Sequence, residues 1–301
     1  MALPPKLADR SRQLRLYGTT PPRAGTPPEQ VAAAAEKLAA RLAGLPLDAL
    51  VVYDIQDETG RTDRPRPFPF TGTVDPRDYA KFFHLPTIVY KALGDVDEAG
   101  WQAWLDASRG VELVSIVGRP APGKYALPLS RAIRLAAAHG AGFTIGGVVI
   151  AERHTAERSE SARLLAKGIE GCRYFISQTV YYAPPTERLL ADYLRDCRGA
   201  GVEPQRVVLT FAPVGREKTL GFLRWLGVNV TPETEREILG AARPLAQSIR
   251  ICRDNLRRIL DGKYAGSIPL GVNVESVSIN RDEIDASVEL FHALGEVLQG
   301  K

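Results

Sequence analysis

The chain alternates between two kinds of segment about eight times, and this alternation is the strongest constraint on its fold. Short apolar runs rich in β-branched residues are typical of buried strands, and long amphipathic runs rich in Ala, Leu and Arg are typical of helices. Such strands pair in parallel, because a parallel neighbour needs a crossover connection that a helix supplies. The predicted strands cover residues 14–17, 49–54, 87–90, 112–117, 143–150, 173–178, 206–211 and 271–276.

The predicted helices lie between these strands and have recognisable ends. The first, residues 29–43, follows a Thr-Pro-Pro sequence that favours a helix start and precedes Gly44, which favours a helix end. The other predicted helices cover residues 97–109, 127–139, 159–170, 186–200, 218–226, 234–261 and 282–298.

Eight strand–helix units in 301 residues predict an α/β fold, a single-domain (β/α)8 TIM barrel from about residue 13 to 298. A doubly wound open sheet is the alternative. A dinucleotide-binding sheet of that kind carries G-x-G-x-x-G after its first strand, whereas this chain reads YGTTPPR there. The barrel is therefore the favoured fold.

Composition and charge exclude several classes of protein. The net charge of +4 is spread along the chain without a long basic run, so we expect no nucleic-acid partner. The cysteines form no C-x-x-C pair, so neither a disulfide framework nor a metal site is expected. No apolar stretch approaches the roughly 20 residues of a membrane span, and the N-terminus is unlike a secretory signal. We therefore expect a cytoplasmic protein without a membrane partner.

In a barrel of this type the chemistry lies at the C-terminal ends of the strands. Asp54 ends the second predicted strand, Glu58 lies just beyond it and Glu152 follows the fifth, which makes these three the candidate acids. Lys91 follows the third strand, where an amine with a depressed pKa forms imines with carbonyl substrates, so a Schiff-base lyase stays open. Its simpler role is an ion pair with a neighbouring carboxylate. The Pro-, Arg- and Phe-rich loop 61–73 either shapes substrate access or covers the surface.

Three further strand-end residues have both a structural and a functional interpretation. His154 is either a packed histidine or a site residue. Gln178 either satisfies a backbone group or reads the edge of a flat heterocycle, because an amide both donates and accepts hydrogen bonds. Arg281 either begins a helix or clamps a substrate carboxylate with its planar guanidinium.

Several motifs resemble the methylenetetrahydrofolate reductase family, and they occur in the family's order. The densest match, TIGGVVIAERHTAERSESARLLAKGIEGCRYFISQTVYY at residues 144–182, is similar to the family's strand, Y-P-E-x-H-P-E turn, helix and T-Q strand. The sequences TTPPR (19–23), FAPVGREK (211–218) and SINRDE (278–283) resemble its E-F-F-P-P-R, L-P-V and L-N-R-x-E motifs. The chain is identified on these motifs as a divergent member.

The resemblance implies a flavoprotein of one-carbon metabolism and methionine biosynthesis. It implies FAD across the barrel mouth, NADH or NADPH as hydride donor, and reduction of 5,10-methylenetetrahydrofolate to 5-methyltetrahydrofolate on the same face. Gln178 and Arg281 fall where the family holds the pterin and the glutamate end of folate. The positions that the family uses around its flavin are Gly118, Arg119, Tyr125, Ile150, His154, Glu160 and Lys167.

Two departures from the family pattern bear on the mechanism. Gly18 stands where the family has its general-acid glutamate, and Val117-Gly118-Arg119 replaces its R-G-D turn. Protonation of N10 needs an acid, so Asp54, Glu58 and Glu152 become candidates. The alternatives are a folate- or pterin-binding barrel that has lost reductase activity, and a reductase that works without flavin. Tyr181, Tyr182 and the Arg-rich C-terminal helices also leave a homo-oligomer possible.

Overall fold

The eight predicted strands close into a parallel barrel in chain order, which confirms the (β/α)8 fold. The structure, a computed structural model, describes residues 3–58, 65–118 and 127–300. Each strand pairs with its sequence neighbours, and β8 closes the barrel against β1. The strands are β1 (Leu14–Thr19), β2 (Ala49–Val52), β3 (Thr87–Ala92), β4 (Leu113–Val117), β5 (Thr144–Val149), β6 (Tyr174–Thr179), β7 (Arg206–Phe211) and β8 (Leu270–Glu275).

Helices connect the strands and cover the outside of the barrel. Across the described ranges, no helix is both long enough and apolar enough to cross a membrane. The helices are α1 (Leu3–Ala8), α2 (Pro28–Leu42), α3 (Pro76–Ala80), α4 (Glu98–Asp106), α5 (Leu129–Ala138), α6 (Glu160–Glu170), α7 (Ala183–Ala200), α8 (Glu217–Trp225), α9 (Pro232–Leu239), α10 (Pro244–Leu260) and α11 (Arg281–Leu298), with a short 3-10 turn at Ala151–Arg153.

The prediction of one continuous helix over residues 234–261 is wrong. The segment forms two helices, because α9 ends at Leu239 and α10 begins only at Pro244. Gly240 caps the first helix. Proline lacks the backbone N–H that a helix interior uses, so Pro244 fits the first turn of a new helix and not the middle of an old one. The amphipathic periodicity continues across this break, which is why the sequence pattern joined the two.

The N-terminal segment fills the bottom of the barrel, opposite the strand ends that carry chemistry. Helix α1 packs beneath the strands, where Leu7 joins the inner core. Arg206 at the start of β7 is 1% exposed, and burial lowers its pKa to about 10. Its guanidinium donates to the backbone carbonyls of Leu7, Asp9, Arg12 and Leu270 at 3.3, 2.5, 2.6 and 3.1 Å. These bonds tie the N-terminal segment to the barrel floor.

Candidate functional site at the barrel mouth

A cavity of about 1620 Å³ opens at the C-terminal ends of the strands. Side chains at or just after seven of the eight strand ends line it, so the barrel topology itself assembles the site. A pocket for one small molecule typically measures about 300–1,000 Å³. The barrel mouth therefore has room for two ring systems at once.

The cavity wall is predominantly basic. Ten Lys or Arg side chains line it, against five Asp or Glu side chains, among the described residues. A concave surface with this charge imbalance concentrates anionic ligands. The site is therefore suited to a ligand that carries carboxylates or phosphates.

Glu275, at the last position of β8, is an acid that lines the cavity. Glu275 is partly exposed, and it lines the cavity. Thr179 donates to Glu275 Oε1 at 3.0 Å, and the Tyr53 hydroxyl also hydrogen-bonds this carboxyl. Burial raises the pKa of Glu275, and the two hydrogen bonds only partly oppose that shift. Glu275 therefore keeps its proton to a higher pH than a solvated glutamate.

A buried amide orients the tyrosine beside this acid. Asn273, two residues before Glu275, is 0% exposed and donates from Nδ2 to Tyr53 Oη at 2.8 Å and to Thr210 Oγ1 at 3.2 Å. Because Tyr53 Oη accepts this bond, its own proton is available for Glu275. The ring of Tyr53 also packs edge-on against Tyr90, with 4.9 Å between the centroids.

Gly18 provides the space for the Tyr53 ring. A Cβ atom at position 18 would lie 2.4 Å from Tyr53 Oη and 2.7 Å from its Cε2. Gly18 on β1 is also the register partner of Glu275 on β8. The position at which the resemblance expects a carboxylate thus lies beside a carboxylate on the neighbouring strand.

A β-bulge on β6 turns Thr179 toward the acid. Ile176 pairs with Val208, whereas Thr179 pairs with Thr210, so β6 contains one residue more than β7 between these pairs. An extra residue of this kind re-aims the side chains that follow it. Thr179 consequently faces the barrel interior and reaches Glu275.

Sequence analysis did not select Glu275, although its signal is visible in the strand. Val272 and Val274 alternate with Asn273 and Glu275, and a period of two places the two polar residues on one face. In a barrel that face is the interior. Glu275 lies near the end of the predicted strand 271–276, much as Asp54 ends the predicted strand 49–54.

The three predicted acids occupy different surroundings. Asp54 lines the cavity, but its Oδ2 accepts from the Ala92 N–H at 2.8 Å and pairs with Lys91 at 3.5 Å, so it anchors the end of β3. Glu58 lines the same cavity. Glu152 instead lines a separate cavity of about 480 Å³ and accepts from the Asn229 N–H at 3.3 Å.

Lys91 forms an ion pair, the simpler of the two roles predicted for it. Its ammonium pairs with Asp54, and Lys91 is not among the described residues that line the main cavity. An amine held by a carboxylate outside the cavity has no approach to a carbonyl ligand bound there. This environment favours the ion-pair interpretation of Lys91 over a Schiff-base lyase.

Four of the five described flavin positions line the main cavity, namely Gly118, Ile150, Glu160 and Lys167. Lys167 Nζ donates to the Val148 carbonyl at 2.7 Å, and burial lowers the pKa of this amine. The fifth, His154, lines the smaller cavity instead. Arg119 and Tyr125 lie outside the described residues.

Three of these positions, Lys167, His154 and Gly118, have a polar group bonded within the protein, whereas Glu160 Oε2 is buried without a hydrogen-bond partner. His154 Nε2 bonds Asp192 at 2.8 Å, and the Gly118 carbonyl accepts from Gln56 at 3.1 Å. Glu160 pairs with Arg163 at 3.6 Å. Ile150 has no polar side-chain atom.

The two predicted substrate residues separate in space. Gln178 lines the cavity, and its Nε2 donates to the Leu226 carbonyl at 2.7 Å, which fixes the amide with its oxygen remaining as an acceptor. The Arg281 side chain is 87% exposed and pairs with Asp285 at 3.5 Å. Arg281 is not among the described residues that line the cavity. Its predicted role at the glutamate end of a folate stays a prediction.

The described part of the Pro-, Arg- and Phe-rich loop lies at the cavity wall, as one of its two interpretations predicted. Arg66 and Phe68 both line the cavity. The Arg66 guanidinium stands 5.0 Å from the Trp225 ring centroid, and Lys218 Nζ stands 4.4 Å from that of Phe68. These cation–π contacts fasten the segment to α8. Residues 61–64 of the loop lie outside the described residues.

The chain is similar to several solved structures. No protein-family model and no curated protein sequence matches the chain. Two structures of Xanthomonas albilineans dihydropteroate synthase, one with indole-2-carboxylic acid and 6-chloroguanine and one with 4-aminobenzoic acid, have TM-scores of 0.44 and 0.45 at 14% and 15% identity. Each alignment covers 96% of this chain and 94% of the synthase chain. At these TM-scores the similarity is too low to support a conclusion about function.

A much stronger likeness is to an uncharacterized protein from Clostridium thermocellum. The TM-score is 0.84 and the sequence identity 28%, over 98% of this chain and 99% of that chain. That protein binds two copies of 5-methyl-5,6,7,8-tetrahydrofolic acid. The chain is thus similar, over almost its whole length, to a barrel protein that binds a reduced folate.

Proposed function

We propose that this chain binds a reduced folate in the barrel-mouth cavity and reduces 5,10-methylenetetrahydrofolate to 5-methyltetrahydrofolate with hydride from NADH or NADPH. The observation that carries the proposal is the full-length similarity to the C. thermocellum folate-binding protein, at a TM-score of 0.84. The ligand of that protein is the 5-methyl compound, which is the product of the proposed reaction.

The shape and charge of the cavity support this ligand class. A folate has a flat pterin, an aromatic linker and a glutamate with two carboxylates, so it needs a long cavity with cationic walls. The mouth measures about 1620 Å³ and carries twice as many basic as acidic side chains among the described residues. Gln178, held by the Leu226 carbonyl, presents an amide oxygen that accepts from the amino and N–H groups of a pterin edge.

The size of the cavity also supports simultaneous binding of two ligands. The similar protein binds two copies of its folate, and the volume here exceeds the usual range for one small molecule. A nicotinamide and a pterin placed side by side satisfy the geometric requirement of direct hydride transfer, in which the reacting atoms must approach closely.

We propose the route without flavin. FAD would supply an intermediate hydride carrier, but two of the described residues at the flavin positions bond to the protein itself, Lys167 to Val148 and His154 to Asp192. The proposal therefore passes no step through FAD, and it requires the nicotinamide to enter the same cavity as the folate.

The proposal is tested with purified protein in three measurements. Calorimetry with 5-methyltetrahydrofolate is expected to give binding, and NADH or NADPH is expected to be oxidised only when methylenetetrahydrofolate is present. The visible spectrum is expected to lack flavin bands. Absence of folate binding would overturn the proposal as a whole. Binding without turnover would leave a folate-binding barrel that has lost reductase activity, and a bound flavin reduced by the nicotinamide would overturn the direct route.

A further inference from the structure

We propose that Glu275 is the proton donor of the active site, an inference that rests on the proposed reductase function. Glu275 lines the cavity at the end of β8, in hydrogen-bond contact with Thr179 and Tyr53. Asp54, one of the candidate acids predicted from the sequence, instead accepts a hydrogen bond from the Ala92 N–H and pairs with Lys91.

The surroundings of Glu275 favour a carboxylic acid over a carboxylate. Among the described residues, Tyr53 just after β2 and Tyr90 on β3 couple electrostatically to Glu275, as does Tyr17 on β1, whose hydroxyl bonds Ser287 on α11. Within residues 3–58, 65–118 and 127–300, no cation is among the groups that shift the pKa of Glu275, and burial dominates that shift. A carboxyl without a cationic partner and with little solvent is costly to ionise, so it holds its proton. A general acid needs this property near neutral pH.

The proposed step begins with cleavage of the bond between N10 and the bridging methylene carbon. Glu275 transfers its proton to N10 as N10 takes the electron pair of that bond. The lone pair of N5 forms a double bond to the methylene carbon, which gives an N5 iminium. Hydride from NADH or NADPH then adds to this carbon, producing the 5-methyl group and the oxidised nicotinamide. The Glu275 carboxylate recovers a proton from solvent, so the overall reaction consumes one proton.

Tyr53 acts as a positioning residue for this acid. Its hydroxyl accepts from Asn273 and donates toward Glu275, which fixes the carboxyl at the cavity wall. The hydrogen bond from Tyr53 lowers the pKa of Glu275. Removal of that bond therefore raises the pKa further, and the acid then keeps its proton to a higher pH.

The first test is Glu275→Gln, which retains the size of the side chain and an oxygen that accepts from Thr179. We expect kcat to fall by about 10²- to 10⁴-fold, as for loss of a general acid, while the affinity for 5-methyltetrahydrofolate changes less than about tenfold. Glu98→Gln on α4 is the matched control, because Glu98 is surface-exposed and pairs with Arg131. This control is expected to keep the wild-type rate. A Glu275→Gln variant with wild-type kcat would overturn the proposal.

The second test is the pH profile, which a merely structural role would not move. For wild-type protein we expect kcat/KM to fall at high pH as Glu275 loses its proton. In Tyr53→Phe this alkaline limb is expected to move to higher pH, and in Glu275→Gln it is expected to disappear from the residual rate. A limb at the same pH in Tyr53→Phe, or one that persists in Glu275→Gln, would assign the proton to another group.

The two proposals fail in different ways. A wild-type protein that binds folate but oxidises no nicotinamide overturns the reductase function and the donor role together. An active wild-type protein whose activity drops in Asp54→Asn with loss of the alkaline limb, and not in Glu275→Gln, overturns the donor role alone.

Discussion

Substitution of Gly18 by alanine tests whether the Tyr53 ring occupies the space beside β1. The added Cβ would lie 2.4 Å from Tyr53 Oη and 2.8 Å from Cζ, well inside contact distance. Either the strand and ring stay in place and the core is overpacked, or the ring moves out into the cavity. Overpacking typically costs about 1–3 kcal/mol.

Movement of the ring costs a similar amount. It breaks the 2.8 Å bond from Asn273, worth about 0.5–1.5 kcal/mol, and the edge-on contact with Tyr90, worth about 0.5–1.5 kcal/mol. Alanine in place of glycine returns about 0.5–1 kcal/mol, because glycine loses more backbone freedom on folding. By either route we expect Gly18→Ala to lower the free energy of unfolding by about 1–2 kcal/mol.

The assay is equilibrium unfolding in urea, followed by circular dichroism. The matched control is Gly199→Ala in α7, where the added Cβ meets nothing within 4 Å, and this variant is expected to be neutral or stabilised. In a Tyr53→Ala background the cost of Gly18→Ala is expected to vanish, since its contact atoms are gone. A Gly18→Ala protein as stable as wild type, or an unchanged cost in the Tyr53→Ala background, would refute the claim that the glycine exists to admit the ring.

Three further variants test the floor of the barrel and its mouth. Arg206→Met is expected to lose at least about 3 kcal/mol in urea unfolding, because four backbone carbonyls lose a charged donor, whereas the exposed Arg109→Met should change stability by less than about 1 kcal/mol. For Asp48, burial raises the pKa, but hydrogen bonds led by that of Lys6 lower it below the ordinary 3.8, so its stabilising effect is present above that pH and lost below it. Asp48→Asn should accordingly lower the free energy of unfolding at pH 7 and lower it much less near pH 3. An equal loss of stability at both pH values would contradict the lowered pKa of Asp48. Gln178→Ala is expected to weaken 5-methyltetrahydrofolate binding in calorimetry by more than tenfold with a small change in unfolding, and equal affinity would remove Gln178 from the site.

The strands were predictable from the sequence because the barrel buries both of their faces. A strand covered by helices outside and by side chains inside has little polar alternation, so it appears as a short apolar run between amphipathic segments. All eight runs became strands of the barrel. The fold class followed from their number and from the helices between them.

The remaining elements depend on tertiary contacts that carry no periodic signal. Helix α1 has six residues, and it is held by the barrel floor and by bonds from Arg206. The break between α9 and α10 required Gly240 and Pro244 to outweigh an amphipathic pattern that continues through them. In both cases packing and backbone chemistry determine the structure, and the periodicity of the sequence does not.

The site was only partly predictable for a related reason. Gln178 and Asp54 were identified because they end predicted strands, and both line the cavity. The environment of Thr179 depends on a bulge that sequence reasoning does not reveal. Glu275 was not predicted, although it stands at the same kind of position, as the final residue of β8.

The glycine at position 18 and the glutamate at position 275 are best understood together. They are register partners on adjacent strands, which lie about 4.8 Å apart, so a side chain on either one enters the same part of the cavity. A glutamate at both positions would place two carboxyls against each other with little solvent, which is unfavourable to ionise. With glycine on β1, Tyr53 fills the vacated space and donates a hydrogen bond toward the carboxyl on β8. The departure from the reductase pattern at Gly18 is therefore compatible with retained acid chemistry, because the barrel supplies a carboxyl from the next strand.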